Sequence, residues 1–203
     1  SQLVVRDLVV VTPGGRTDRA LVDYQTADGR KVFSGGDDPA AYSSPTRVQL
    51  AGQQQYLSFN GSGLRGFDAQ GKPLWLHSWL TQGEKQRVNV AQPVAVTGIG
   101  PENDDVGYVL ISSGYGMGAA LLRISHDQET WQVAEVWKSR QLKSKMSNFV
   151  VRDGFIYGMD NGILTCLDLQ SGKRKWKNGR YGHGQLLLVG DVLLIQAESG
   201  EVV

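Results

Sequence analysis

The chain has 203 residues, of which 40% are hydrophobic and 20% charged, a balance that fits a folded globular protein and excludes a disordered one. Its formal net charge of +1 argues against a nucleic-acid or general membrane-surface partner. The single cysteine, Cys166, excludes an intrachain disulfide and a Cys-x-x-Cys redox motif, and no apolar run is long enough to span a membrane.

Glycine is abundant, at 26 residues, and is gathered in short groups such as TPGG, NGSG and SGYGMG. That punctuation predicts many tight turns between short strands. In chain order, the strand candidates are 3–5 and 8–11, then 47–50 and 55–59, then 93–96 and 107–112, then 149–151 and 155–159. A fifth pair covers 186–189 and 192–195 and leads into GEVV at 200–203. Each is rich in β-branched or aromatic residues and bounded by Gly, Asp or Asn. The segment 135–146 reads as a strand running into a polar loop, and no helix is expected.

A repeat follows the strand pairs. LVDYQTADGRKVF (21–33), GFDAQGKPLW (66–75) and CLDLQSGKRKW (166–176) each combine a strand, a turn glycine and an aromatic four residues after it. Asp23, Asp68 and Asp168 stand near their starts, where an aspartate can hold turn amides. Residues 121–137 form a degenerate copy that ends on Trp137 but lacks the glycine. The aromatics Phe33, Trp75, Trp137 and Trp176 are 42, 62 and 39 residues apart. Discounting an insertion at 97–105 and the longer turn, the period is about 40, the length of a four-stranded propeller blade. The tryptophans are expected to pack between blades rather than stack on a ligand.

Asp68-Ala-Gln-Gly71-Lys-Pro-Leu-Trp75 and Asp168-Leu-Gln-Ser-Gly172-Lys-Arg-Lys-Trp176 resemble the tryptophan-docking repeat of PQQ-like (quinoprotein-type) propellers of exported bacterial type. The expectation is an all-β β-propeller of four-stranded antiparallel blades. Blades are expected at about 1–40, 41–80, 88–142 and 146–182, with part of a fifth at 183–203. Both ends read as blade sequence, so a partial propeller is expected, completed by further blades or a second copy. The resemblance implies a periplasmic or secreted location, although no signal peptide is present. It further implies one of two roles: a cofactor-free protein-binding scaffold like the outer-membrane assembly lipoprotein, or a dehydrogenase holding PQQ and calcium.

The residues favour the scaffold. No vicinal cysteine pair, nucleophile elbow or phosphate loop is present. Asp37, Asp38, Asn60, Asn103, Asp104 and Asp105 are calcium ligands by type, but read as turn residues. His77, His126 and His183 have no metal-ligand spacing; His126 is expected in an exposed turn, and His183 is the most plausible functional histidine. The inter-blade loops, about 35–44, 77–89, 138–148 and 177–184, belong to one end of a propeller. They hold eight of the 21 Lys and Arg (Lys85, Arg87, Lys138, Arg140, Lys143, Lys145, Lys177 and Arg180) against Asp37, Asp38 and Glu84. This basic face, with Tyr115, Lys143, Lys145, Arg180, Tyr181 and His183 as candidate contacts, is expected to take a protein or a small anionic ligand, with no catalytic, cofactor or metal residue assigned.

Overall fold

The computed structural model describes residues 2–81, 88–100, 105–127 and 130–203. Those residues form eighteen strands and no helix. The first sheet holds β1 (Gln2–Val5), β2 (Leu8–Val11), β3 (Leu21–Gln25) and β4 (Lys31–Gly35). The second holds β5 (Thr46–Leu50), β6 (Gln53–Phe59), β7 (Gly63–Phe67) and β8 (Pro73–Ser78). The third holds β9 (Val94–Val96), β10 (Val106–Ser113), β11 (Gly118–Asp127) and β12 (Thr130–Ser139). The fourth holds β13 (Phe149–Arg152), β14 (Phe155–Asp160), β15 (Ile163–Asp168) and β16 (Arg174–Arg180). A hairpin of β17 (Gln185–Val189) and β18 (Val192–Gln196) follows, with Val202 bridged to Gln196.

Every sheet is a meander, with sequence neighbours paired antiparallel. The turns explain why. Asp153-Gly154 and Asn161-Gly162 are two-residue loops with positive φ at both positions, a geometry whose twist matches antiparallel strands. These meanders are four blades of a propeller region, with the hairpin contributing two strands more.

Each sheet is covered by its neighbour through a separate apolar cluster. Val10 and Leu21 meet Tyr56 and Phe67 between the first and second sheets. Leu57, Leu64 and Trp75 meet Val109, Leu122 and Ile124 between the second and third. Leu110 and Leu121 meet Ile156 and Leu167 between the third and fourth, and Met159 and Leu164 meet Leu186 and Ile195 at the hairpin. The core is therefore distributed over successive joints, as in repeat proteins generally.

The glycine-aromatic repeat serves these joints directly. A Cβ on Gly71 would lie 2.5 Å from the Phe33 ring, and one on Gly172 would lie 2.6 Å from the Trp137 ring. The aromatic of one blade thus lies on the turn glycine of the next. Trp137 is further anchored by its Nε1–H, which donates to the Leu169 carbonyl at 2.9 Å. Trp75 faces the blade that lacks the glycine, and it packs against the cluster containing Ile124 and Trp131 while donating to Gln55 Oε1 at 2.8 Å. Trp75 is 5% exposed, whereas Trp176 is 43% exposed.

Two sequence expectations are corrected here. Asp68 and Asp168 do hold turn amides: Asp68 Oδ1 accepts from the Gln70 and Lys72 amides, and Asp168 Oδ1 accepts from the Ser171 amide. Asp23 is not their counterpart. Gln25 takes that place, because its amide bonds Arg30 O and its carbonyl receives the Gly29 amide, as Asp168 does with Lys173 and Gly172. Asp23 sits in the strand beside Val10 and Phe33, fully buried, at the position that Gly66 and Cys166 occupy opposite Trp75 and Trp176. Among the described residues neither of its carboxylate oxygens has a hydrogen-bond partner of good geometry. Burial pushes its pKa above the ordinary carboxylate range, and the nearby Tyr24 amide offsets only part of that. His126 is the second correction. It lies at the end of β11, half-buried, with its ring stacked on Trp131 at 4.3 Å. The pairing of β11 with β12 brings these two rings together.

Gly29 and Gly172 give a controlled comparison, since both have positive φ, 70° and 65°, but Gly29 has nothing within 4 Å of a Cβ position. Gly29→Ala should cost about 1 kcal/mol from backbone strain alone. Gly172→Ala should cost about 1–3 kcal/mol more, from collision with the Trp137 ring, as read from urea unfolding. Equal losses would show that the ring contact contributes nothing.

Asp23 sets a second expectation. The folded protein keeps this proton at pH values where the unfolded chain has released it, so stability falls as pH rises through the carboxylate range and levels off once the folded group ionises. Asp23→Asn should flatten that slope in unfolding curves taken between about pH 4 and pH 8. Asp23→Ala, which matches the small residues at the equivalent positions, should stabilise the protein at neutral pH by about 1–3 kcal/mol.

Candidate functional site

The loops that cross from one sheet to the next, together with the loops between second and third strands, lie at one end of the sheets. Hydrogen bonds stitch them to one another. The Gly15 and Gly61 amides donate to Asp38 O and Pro39 O, tying two loops to the first crossover. The Tyr42 and Ser43 amides both donate to Asn89 O, joining the first crossover to the second. The Gln92 amide donates to Asn148 Oδ1 at 2.9 Å, joining the second to the third, and Gln185 Nε2 donates to Met146 O at 3.0 Å. At the opposite end, the bonds Thr26–Asp7, His126–Asp105 and Leu169–Gly154 each close within one sheet, while Trp137 Nε1 crosses from the third sheet to Leu169 O and Arg152 crosses from the fourth sheet to Gly190 O and Asp191 of the hairpin.

Asn89 is the hub. It is buried, its Nδ2 donates to Asn60 O at 2.8 Å, and its Oδ1 accepts from Ser113 Oγ at 3.0 Å. Ser113 Oγ in turn accepts from Trp79 Nε1 at 2.6 Å. Residues from the second and third sheets and two crossovers are thereby held in one buried polar network. Neither Asn89 nor Ser113 carries a sequence signal for this role, since isolated Asn and Ser read as ordinary loop and strand residues.

The sequence-predicted contacts divide between this end and the packing beneath it. Lys145 lies over the Tyr115 ring, Nζ 5.4 Å from its centre, and Tyr115 holds a turn with φ of 56°. Arg180 is exposed at the end of β16, and Tyr181 is half-buried beyond it. Tyr181 lines a cavity of about 400 Å³ with Leu164, Trp176, Asn178 and Gly179. His183 is half-buried, and its backbone amide donates to Glu198 Oε2 at 3.0 Å.

Lys143 is not a free contact. Its Nζ is 2.7 Å from Asp160 Oδ1, and Lys177 Nζ is 2.6 Å from Asp160 Oδ2. The Lys143 amide also donates to Asp160 Oδ1 at 3.0 Å. Asp160 itself is buried. Burial alone would raise its pKa, but the bonds from Lys143 and Lys177 outweigh it and hold the carboxyl below its ordinary range. Lys138 is likewise engaged, with Nζ 3.9 Å from Glu135 and 4.5 Å over the Trp79 ring. The charge that stays outward in this sector is that of Arg140, Lys145 and Arg180, none of which has an ion pair among the described residues. Glu84, Lys85 and Arg87 lie outside the described residues.

Of the oxygen ligands by type, Asp37, Asp38 and Asn60 commit side-chain oxygens to hydrogen bonds. Asp37 Oδ1 accepts the Asp18 amide at 2.8 Å, and Asp38 binds Arg65 through both oxygens at 2.9 and 3.1 Å. Asn60 Oδ1 accepts the Ser62 and Gly63 amides. Asp105 O accepts the His126 amide, and Asn103 and Asp104 lie outside the described residues. Among the described residues no three His, Cys, Asp or Glu side chains gather as a metal site. His77 Nε2 is 3.4 Å from Glu135; burial lowers its pKa, Glu135 raises it and Lys138 lowers it, with a lowered net value.

A family model described as outer membrane protein assembly factor BamB, of the PQQ_2 repeat type, matches residues 2–178. The chain belongs to that family. Among solved structures, it is similar to BamB from Moraxella catarrhalis at 16% identity and a TM-score of 0.50, covering 99% of this chain and 70% of that one. AztD from Citrobacter koseri, in its apo form, aligns at 10% identity and a TM-score of 0.45, covering 100% and 58%. The quinohemoprotein alcohol dehydrogenase from Comamonas testosteroni aligns at 9% identity and a TM-score of 0.45, covering 97% and 43%. The chain therefore spans less than two thirds of the latter two structures. No match is found among curated proteins. Among the described residues no helix is long and apolar enough to cross a membrane.

Asp160→Asn tests the ion triad. It leaves two lysines facing a neutral amide and should cost about 2–3 kcal/mol in urea unfolding near pH 7. The wild-type contribution is complete above the ordinary carboxylate range and is lost as pH falls through the lowered folded pKa. The difference between variant and wild type should therefore shrink in strong acid.

Proposed function

We propose that this family member is a non-catalytic binding module that presents its stitched loop end to a protein partner in the periplasm. The observation that carries the reading is the bonding of successive crossovers into one surface: Gly61 to Pro39, Ser43 to Asn89, Gln92 to Asn148 and Gln185 to Met146. A surface fixed before contact loses little conformational entropy on binding. That surface also displays apolar side chains, since Tyr42, Leu80 and Met146, all on crossovers, are each half or more exposed. The name of the matching family, an assembly factor of the outer membrane, supports both the partner class and the location.

The test compares the two ends in cells of the natural host. Photo-crosslinking residues at Tyr42 and Met146 should trap a protein partner, whereas the same residues at Asp7 and Asp153, in turns of the other end, should trap none. Crosslinking confined to the other end overturns the reading. So does calcium-dependent dye reduction by the purified protein after incubation with PQQ.

A further inference from the structure

The loop end is chemically two-sided. Over the first and second sheets the charges of the described residues balance. Arg16 and Arg19 face solvent with Asp18 and Asp37, while Asp38 is consumed by Arg65. The exposed apolar side chains Tyr42 and Leu80 belong to this half. Over the third and fourth sheets the balance is basic. The buried Asp160 is shared by Lys143 and Lys177, which leaves a surplus of one positive charge in that triad. Arg140, Lys145 and Arg180 add three cations without an ion pair among the described residues, and Met146 lies beside them. On the hairpin loop that follows, Glu198 accepts the His183 amide and Glu201 is exposed.

These basic residues form one connected patch. Lys143 Nζ donates to Arg140 O, and the Asn161 amide donates to Lys143 O. Ile163, which closes the same hairpin, pairs with Arg180, and the Tyr181 amide donates to Gly162 O. Lys145 reaches back to Tyr115 of the third sheet. Two guanidinium groups in such a patch favour planar carboxylates, which they bind through paired hydrogen bonds.

We infer that the partner contributes an amphipathic segment with a fixed orientation: an acidic tract over Arg140, Lys145 and Arg180, and an apolar tract over Tyr42 and Leu80. This rests on the proposed use of the loop end and adds the chemistry and polarity of what binds there. The acidic tract supplies attraction that salt screens, and the apolar tract supplies affinity that salt leaves in place. Orientation follows because the two halves of the surface reject each other's tract: a carboxylate laid over the first two sheets meets no surplus cation among the described residues, and an apolar side chain laid on the arginines strips their water without compensation.

The probes are three fluorescent synthetic peptides: one with a run of glutamates followed by leucine and phenylalanine, one with the glutamates alone, and one with the apolar half alone on a neutral, soluble tail. The full peptide should bind at least about ten-fold more tightly than either half. Arg140→Glu with Arg180→Glu should weaken it about ten-fold or more and flatten its dependence on salt. Tyr42→Ala with Leu80→Ala should weaken it comparably while leaving the salt dependence intact. Urea midpoints within the range of the unaltered protein show that both variants remain folded. The inference is overturned if the glutamate peptide alone binds as tightly as the full one, if both variant pairs change the salt dependence alike, or if no peptide binds. Crosslinking at Tyr42 and Met146 is read independently, so a partner trapped there with no peptide bound defeats this inference and leaves the proposed function standing.

Discussion

A four-stranded sheet of this chain has two apolar faces and can cover neither of them alone. Everything else in the structure answers that constraint. Leu21 and Phe67, Leu64 and Ile124, and Leu121 and Ile156 belong to three separate joints, each closed by the next sheet. The aromatic laid on a turn glycine is the most specific part of the joint, because it needs one large ring and one missing side chain in register across two repeats. Where the glycine is missing, as in the third blade, Trp75 uses a deeper apolar seat and a hydrogen bond to Gln55 instead.

The two unusual buried carboxylates show how differently the same residue type behaves in this frame. Asp160 is surrounded by cations and a backbone amide, and its ionised form ties the third crossover to the fourth sheet. Asp23 is set among Val10 and Phe33 with no such help. One favours the fold when charged and the other when neutral. Acid therefore weakens the blade that ends in Lys177 while relieving the joint that holds Phe33.

Strands and period were legible in the sequence because they rest on local signals: β-branched runs, Asp-Gly and Asn-Gly turns, and a glycine four residues before an aromatic. What escaped depends on contacts between distant segments. The role of Gly172 as a seat for Trp137 cannot be seen in its own repeat, because the ring comes from the preceding one. Asp23 looked like a turn aspartate because it precedes a Gly-aromatic pair, yet it lies two residues upstream of Gln25, which holds the turn position, and so falls within the strand. Lys143 and Arg180 looked alike as loop cations, and only the position of Asp160 separates them. Asn89 was invisible for the same reason: its four partners, Tyr42, Ser43, Asn60 and Ser113, lie 24 to 47 residues away in the chain.

The denser stitching of the end that carries the crossovers also has a mechanical meaning. Sheets that are bonded together more densely along one rim than along the other behave like the leaves of a fan held near a rivet. Side-chain packing yields gradually to small tilts, whereas a buried hydrogen bond such as Asn89 to Asn60 tolerates little displacement before it breaks. Spreading of the first sheets is thus easier at the end bearing Asp7 than at the rim around Asn89. The rim around Asn89 keeps its spacing while the rest of each leaf breathes.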